Sequence, residues 1–175
     1  LVSRGEKICK GSQYLENLTH FFKKSKTYAG ISRCFHSILE MEKHYRQCLR
    51  AEYLGKRTDS ENFLYFYEDY AVYDLLDINS RCDDLRDFCL SSIFSLIEYD
   101  KRNNSDYLRF LYTYIMKSKK KLDIAVSLNI HRNSINYRIK KIEKIMNVNL
   151  DNPRTIVHIF LSFKILKMLK LMEFD

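Results

Sequence analysis

The chain has 175 residues, of which 46% are hydrophobic, and a formal net charge of +8. This length allows one or two small domains with real cores. The charge is uneven, because residues 101–175 hold sixteen Lys and Arg against six Asp and Glu, whereas residues 51–100 hold four against twelve. Positive charge therefore collects in the C-terminal part, where its field would attract a phosphate backbone.

The five cysteines favour reduced thiols over a disulfide framework or a metal site. Their number is odd, no pair has CxxC spacing, and no signal peptide precedes them. We therefore expect mostly buried thiols, no metal and no cofactor in a cytoplasmic protein. No Gly-rich phosphate loop and no Ser/His/Asp spacing is present, so we expect no enzymatic activity.

The first 80 residues predict alternating helices and strands. Helices are expected over 15–24 and from about residue 38 to Gly55, a natural residue to follow a helix. Strands are expected over 27–31 and, from its aromatic content, over 63–67. The apolar face of the second helix is predicted from the spacing of Ile38, Met41, Tyr45, Cys48 and Leu49.

The region after residue 80 has no Gly and one Pro, which favours helices joined by short polar turns. A long amphipathic helix is predicted over 82–99, and a second is marked by Leu108, Leu111, Tyr112 and Ile115. Residues 100–105 should form the turn, with Ser105 as the N-cap. The face of the first helix is predicted from Leu85, Phe88, Cys89, Ile93, Leu96 and Ile97.

The segment 122–145 predicts a helix-turn-helix. Ala125 and Leu128 share one face of a short helix, which Asn129 interrupts. Asn tolerates the left-handed conformation better than any residue except Gly, so it suits this turn. A second helix follows, with an apolar face at helical spacing formed by Ile135, Ile139, Ile142 and Met146.

The other faces of this second helix favour binding to DNA. Glu143 is its only acid between Arg132 and Lys144, whereas an ordinary surface helix mixes acids with bases. Such polar and basic side chains can reach base edges and phosphates. A solvated structural helix is the alternative. The candidate DNA-binding residues are His131, Arg132, Asn133, Ser134, Asn136, Tyr137, Arg138, Lys140 and Lys141, with Lys120 and Lys121 before the first helix as phosphate contacts or a solvated charge run.

A last helix is predicted from Thr155 to about Met172, with Pro153 near its first turn and apolar residues around nearly its whole circumference. Its lysines argue against a membrane span. We expect one side to pack on the helix-turn-helix and the outward side to contact a partner chain.

The segment LNIHRNSINYRIKKIEKIMNVNLDNP resembles the C-terminal helix-turn-helix of the PucR/CdaR group, the purine-catabolism and carbohydrate-diacid regulators. The residues that carry this resemblance are Leu128, Ile130, His131, Arg132, Asn133, Ser134, Ile135, Tyr137, Arg138, Ile139, Leu150, Asp151, Asn152 and Pro153. The segments AGISRCF and FLYFYEDYAVYDLL resemble the GGDEF-like domain that precedes it in these regulators, without the Gly-Gly-Asp/Glu-Glu-Phe motif of a cyclase.

The resemblance implies a bacterial transcription regulator that controls a catabolic operon by binding double-stranded DNA as a homodimer. Its small-molecule effector would bind a missing N-terminal region. We therefore predict a mainly α chain, with a helix-turn-helix bundle over residues 81–175 and a small α+β segment, a degenerate and truncated GGDEF-like domain, over residues 1–80. The alternative is an interaction module that uses its helix-turn-helix only for assembly.

Overall fold

The computed structural model describes residues 13–79, 84–117 and 121–172, and not the side chains of Gln13, Asn79, Lys121 and Arg132. The contacts divide the chain into two compact units, one ending at Arg81 and the other beginning at Cys82. Helices dominate both units, as the sequence predicts. The prediction of mainly α structure is therefore confirmed.

The N-terminal unit is built around a strand–helix–strand element. Helix α1 (Gln13–Ser25) precedes strand β1 (Ala29–Ile31), helix α2 (Met41–Thr58), strand β2 (Leu64–Phe66) and helix α3 (Tyr67–Asn79). The two strands pair in parallel, with Gly30 opposite Tyr65. A parallel pair needs a crossover connection, and α2 supplies it. The predicted order of helices and strands is confirmed.

The predicted apolar face of α2 is wrong. Most of the residues that predicted it are exposed, and the buried residues of the helix are His44, Gln47, Ala51, Leu54 and Gly55. The reason is close packing of α2 against the sheet. A Cβ on Gly30 would lie 1.9 Å from the carbonyl oxygen of Cys48, and one on Gly55 would lie 2.2 Å from the ring of Tyr65. Small residues therefore mark the buried side.

Gly55 consequently lies inside the helix and does not end it. Gly55→Ala would force a methyl group into the buried ring of Tyr65, whose hydroxyl donates to the carbonyl oxygens of Asp59 and Asn62. We expect a loss of roughly 1–3 kcal/mol in the free energy of unfolding, the range for overpacked cores. Urea denaturation measures it. Ala substitution of exposed Lys43 is the control, and an equally small effect at both positions would contradict this close packing of α2.

An ion cluster accounts for acidic residues of α3. The guanidinium of Arg50 donates to Asp74 and to Asp77, both at 2.6 Å. The hydroxyl of Tyr67 donates to Asp74 at 2.8 Å, and burial together with this bond raises the pKa of Tyr67. In the described ranges, no three His, Cys, Asp or Glu side chains are grouped so that they could hold a metal ion.

The C-terminal unit begins with a short 3-10 helix, Leu85–Phe88, followed by helices α4 (Ser92–Asn103) and α5 (Tyr107–Met116). The prediction of one continuous helix over 82–99 is wrong, and residues 82 and 83 lie outside the described ranges. The helix is interrupted after Phe88, and here the N–H of Leu90 donates to the hydroxyl of Ser162, 72 residues away. The thiol of Cys89 is buried at this break, while Cys34 is exposed and Cys48 half-buried.

The corner between α4 and α5 also differs from the prediction. Helix α4 continues to Asn103, and Asn104 then adopts the left-handed conformation with φ 48°. Ser105 does not cap α5. The carboxylate of Asp100 accepts hydrogen bonds from the N–H groups of Tyr107 and Leu108, and from the hydroxyl of Ser105. A side chain from the preceding helix therefore satisfies the free N–H groups of α5.

Helices α6 (Lys121–Leu128), α7 (Arg132–Met146) and α8 (Pro153–Met168) complete the unit. Asn152 caps α8 by accepting from the N–H of Arg154, and Pro153 occupies the first turn as predicted. The helix ends at Met168 rather than Met172. Most of its apolar circumference is buried in the unit itself, through Ile159, Phe163, Ile165, Leu166 and Met168. Of the predicted outward side, Val157 is 67% exposed.

Candidate nucleic-acid interface

The turn between α6 and α7 has the geometry that its sequence predicts. Asn129 is left-handed, with φ 49°, and the N–H of Ile130 donates to the carbonyl oxygen of Ala125 at 3.0 Å. Ile124 is fully buried, whereas Ala125 and Leu128 are half-buried. The predicted helix-turn-helix is therefore present, with Ile124 as the main core residue of its first helix.

His131 caps the second helix. Its backbone is extended, and its Nδ1 accepts a hydrogen bond from the N–H of Asn133 at 3.3 Å. His131, which the sequence predicts as a DNA contact, therefore acts as the N-cap of α7 in the structure. Arg132 is the first residue of α7, and its side chain lies outside the described part of the chain.

The cap predicts a modest change in stability. His131→Ala should lower the free energy of unfolding by about 1 kcal/mol, because it leaves one N–H of α7 without its partner. His131→Asn should retain most of that stability, since Asn is a favourable N-cap residue. Thermal unfolding of both variants tests this. Equal losses in the two variants would show that the imidazole does not act as a cap.

One face of α7 is buried. Ile135, Ile142 and Met146 are at most 2% exposed, and Ile139 is half-buried. These residues pack against α4, α5 and α6. The predicted apolar face is confirmed, and it fixes which side chains point outward.

The opposite face of α7 is polar and open to solvent. At 100° per residue, Asn133, Asn136, Tyr137, Lys140 and Lys144 project within one sector, directly away from the buried isoleucines. All five are exposed, Tyr137 by 65%. This surface, the outer face of α7, contains amides, a phenol and two cations but no carboxylate. Ser134 is also exposed, at its edge.

Glu143, the one acid of this helix, is engaged elsewhere. Its Oε1 accepts a hydrogen bond from the N–H of Leu150 at 2.9 Å. The helix ends at Met146, and its C-cap residue Asn147 is left-handed with φ 51° and leads into the same loop. The carboxylate therefore holds the α7–α8 connection.

Two of the predicted DNA-binding cations face the protein. The side chain of Arg138 is 23% exposed, and its guanidinium pairs with Asp106 at 2.5 Å and lies over the rings of Tyr107 and Phe110. Lys141 lies 5.4 Å from the ring centre of Tyr99, and its hydrogen bond with this tyrosine raises the pKa of the lysine. The sequence shows the charges of Arg138 and Lys141 but not the side chains that they contact in the fold. In this structure Arg138 and Lys141 hold α7 to α4 and α5.

Lys120 lies outside the described residues, as does the side chain of Lys121, the first residue of α6. Their suggested phosphate contacts remain predictions. The DNA-binding residues predicted from the sequence do not include Lys144 on α7. Its place one turn beyond Lys140 on the outer face brings it into the candidate interface.

Residues 107–165, which span α5 to most of α8, match the family model of the PucR C-terminal helix-turn-helix domain. Over these residues the chain is similar to the helix-turn-helix domain of PucR-type regulators. The match covers all the side chains of the outer face of α7. It supports the resemblance drawn from the sequence for this domain, and it does not extend to a GGDEF-like segment.

Three curated relatives come from Bacillus subtilis (strain 168). The proline-responsive transcriptional activator PutR is 28% identical over 154 residues, 86% of this chain and 38% of PutR. The DNA-binding transcriptional activator AdeR is 25% identical over 132 residues, 75% of this chain and 31% of AdeR. The purine catabolism regulatory protein is 24% identical over 157 residues, 90% of this chain and 29% of that protein.

The chain thus spans between 29% and 38% of the length of these relatives. The names of these three relatives are those of transcription regulators or regulatory proteins and not of enzymes, and AdeR is named as a DNA-binding activator. No solved structure matches the chain significantly. Among the described helices, none is both long and apolar enough to cross a membrane.

Proposed function

We propose that this chain regulates transcription by placing α7 in the major groove of double-stranded DNA. The observation that carries the proposal is the outer face of α7, which is exposed, polar and basic within a PucR-type domain. A helix with its side chains is about 10–12 Å across. The major groove is about 12 Å wide, so one such face fits into it.

The position of each side chain suggests its role. Arg132, Asn133 and Asn136 belong to the first turns, which enter the groove in helix-turn-helix domains, and we assign them to base edges. Asn can bind adenine through two hydrogen bonds and Arg can bind guanine in the same way. Ser134, Tyr137, Lys140 and Lys144 are assigned to phosphates. Arg138 and Lys141 are left out of this contact set because they face Asp106 and Tyr99.

Base reading is tested with duplexes that the whole chain selects from a random-sequence pool. Arg132→Ala should cost roughly 1–3 kcal/mol on the selected duplex and relax the sequence preference. Arg46→Ala, an exposed arginine paired with Glu42 in the N-terminal unit, is the matched control. Equal loss on selected and unrelated duplexes would remove the base-reading role of Arg132. Failure of the wild-type chain to select any duplex would favour an assembly module.

The proposed unit of function is a homodimer on an inverted-repeat operator. Two linked half-site contacts bind far better than one, and helix-turn-helix half-sites lie about one helical turn apart or a multiple of it. Exposed Val157 on α8 and Phe88 are the remaining candidates for part of the contact. Sedimentation at micromolar concentrations tests these residues. A monomer at every concentration would exclude a dimer of this chain through them.

The names of the relatives suggest the wider setting. PutR is named for its response to proline and another relative for purine catabolism. We propose a cytoplasmic regulator of a catabolic operon that answers to a small molecule. We also propose that residues 1–80 are a degenerate GGDEF-like segment, and that residues 81–175 form the DNA-binding domain. The strand–helix–strand element with its parallel pair supports the first assignment.

A further inference from the structure

Arg138 occupies the side of α7 that faces α5. Residue 106 lies immediately before α5, and its carboxylate meets the Arg138 guanidinium although the two residues are 32 positions apart. The guanidinium carbon is 5.7 Å from the ring centre of Tyr107 and 5.6 Å from that of Phe110. Arginine suits this site because its planar guanidinium can stack on the rings while its N–H groups bind the carboxylate.

The site that receives Arg138, formed by Asp106, Tyr107 and Phe110, is fixed by contacts between α4 and α5. Asp100, in the last turn of α4, accepts hydrogen bonds from the hydroxyl of Ser105 in the turn and from the N–H groups of Tyr107 and Leu108 at the start of α5. The rings of Tyr99 and Tyr107 lie 5.8 Å apart. Phe110 is fully buried. The α4–α5 corner is therefore a fixed platform for a side chain that reaches it from α7.

Lys141 makes a second attachment one turn along the same side of α7, over Tyr99. Two attachments, at positions three residues apart, resist both sliding of α7 along its axis and rotation about it. Rotation matters because the outer face of α7 is one narrow sector. A binding site needs its side chains held within about 0.5 Å and 10–20° of the productive geometry.

We propose that Arg138 is a positioning residue that sets the orientation of α7 by binding the α4–α5 corner, rather than a phosphate contact. This inference rests on the proposed function, since the orientation has a consequence only when α7 enters DNA. The residue acts through Asp106, Tyr107 and Phe110. Its effect on DNA reaches the bases through Asn133 and Asn136 on the outer face.

The two roles of Arg138 predict opposite effects for Asp106→Asn. If Arg138 bound a phosphate, removal of Asp106 would free the guanidinium and delete a nearby negative charge, so DNA affinity would rise. If Arg138 positions α7, removal of the Asp106 carboxylate weakens the contact between α7 and the α4–α5 corner, so affinity for the selected duplex falls. The salt dependence separates the roles again, because each phosphate contact contributes about one unit to its slope.

The experiment measures binding of the whole chain to its selected duplex and to an unrelated duplex at several salt concentrations. We expect Arg138→Gln and Asp106→Asn each to weaken the selected duplex about tenfold, with little change in salt slope. The double variant should be no weaker than the worse single variant, because both remove one interaction. Affinity for the unrelated duplex should change less. General unfolding would instead weaken binding to both duplexes equally. Arg138→Lys should recover part of the affinity.

Two controls fix the interpretation. Lys140→Gln, on the outer face, should flatten the salt slope by about one unit. Asp123→Asn removes an exposed acid of α6 without touching Arg138 and should not weaken binding. Tighter binding by Asp106→Asn, or a flatter slope in Arg138→Gln, would overturn the positioning role while leaving the proposed function intact. If the wild-type chain bound no duplex, the proposed function would fail, and the positioning role with it.

Discussion

Lys140→Glu should reduce the affinity of this chain for its selected duplex by at least about a hundredfold, with no loss of thermal stability. Lys140 is exposed in the middle of the outer face of α7, where the proposed complex places phosphates. The change removes one phosphate contact and adds a repelling charge, so the salt slope should flatten by about one unit or more. Binding isotherms at several salt concentrations measure both effects.

The matched control for this prediction is Lys43→Glu. Lys43 is also exposed, but it lies on α2 in the N-terminal unit, and its reversal changes the net charge of the chain equally. It should alter DNA binding only slightly. Equal losses in the two variants would mean that DNA responds to the overall charge and that the outer face of α7 has no special role.

Ile142→Ala should lower the free energy of unfolding by roughly 2–5 kcal/mol. This loss is larger than those expected for Gly55→Ala and His131→Ala. Ile142 is fully buried on the inner face of α7, so its truncation removes apolar contacts and leaves a cavity. Chemical denaturation measures the loss. Val126→Ala on α6 is the control, because Val126 is 83% exposed and its truncation should cost little. A similar small loss in both would contradict the assigned inner face.

The helix-turn-helix was predictable because its signals are local. The spacing of Ile135, Ile142 and Met146 defines one face within a single helix, and Asn129 marks a left-handed turn by its own chemistry. The outer face follows from the inner one by helical geometry. The two strands, though not their parallel pairing, were predictable in the same way from short runs of aromatic and β-branched residues.

The errors arise where distant residues decide the local structure. The break before α4 depends on Ser162, which takes the N–H of Leu90 from far along the chain. The buried side of α2 depends on Gly55, whose missing side chain makes room for Tyr65. The contacts of Arg138 within the protein were also not predictable, because the sequence shows its charge and not its partner. Asp106 is distant in sequence, and only the fold brings it to the guanidinium.

Dimethyl sulfate footprinting of the selected duplex tests the placement of α7 in the major groove most directly. The reagent methylates guanine N7, which lies in the major groove, and adenine N3, which lies in the minor groove. We predict that the bound chain protects guanine N7 within each half-site and leaves adenine N3 there reactive. The protection should disappear in Lys140→Glu at the same protein concentration. Protection of adenine N3 alone, or no protection of guanine N7 in a saturated complex, would contradict the proposed complex.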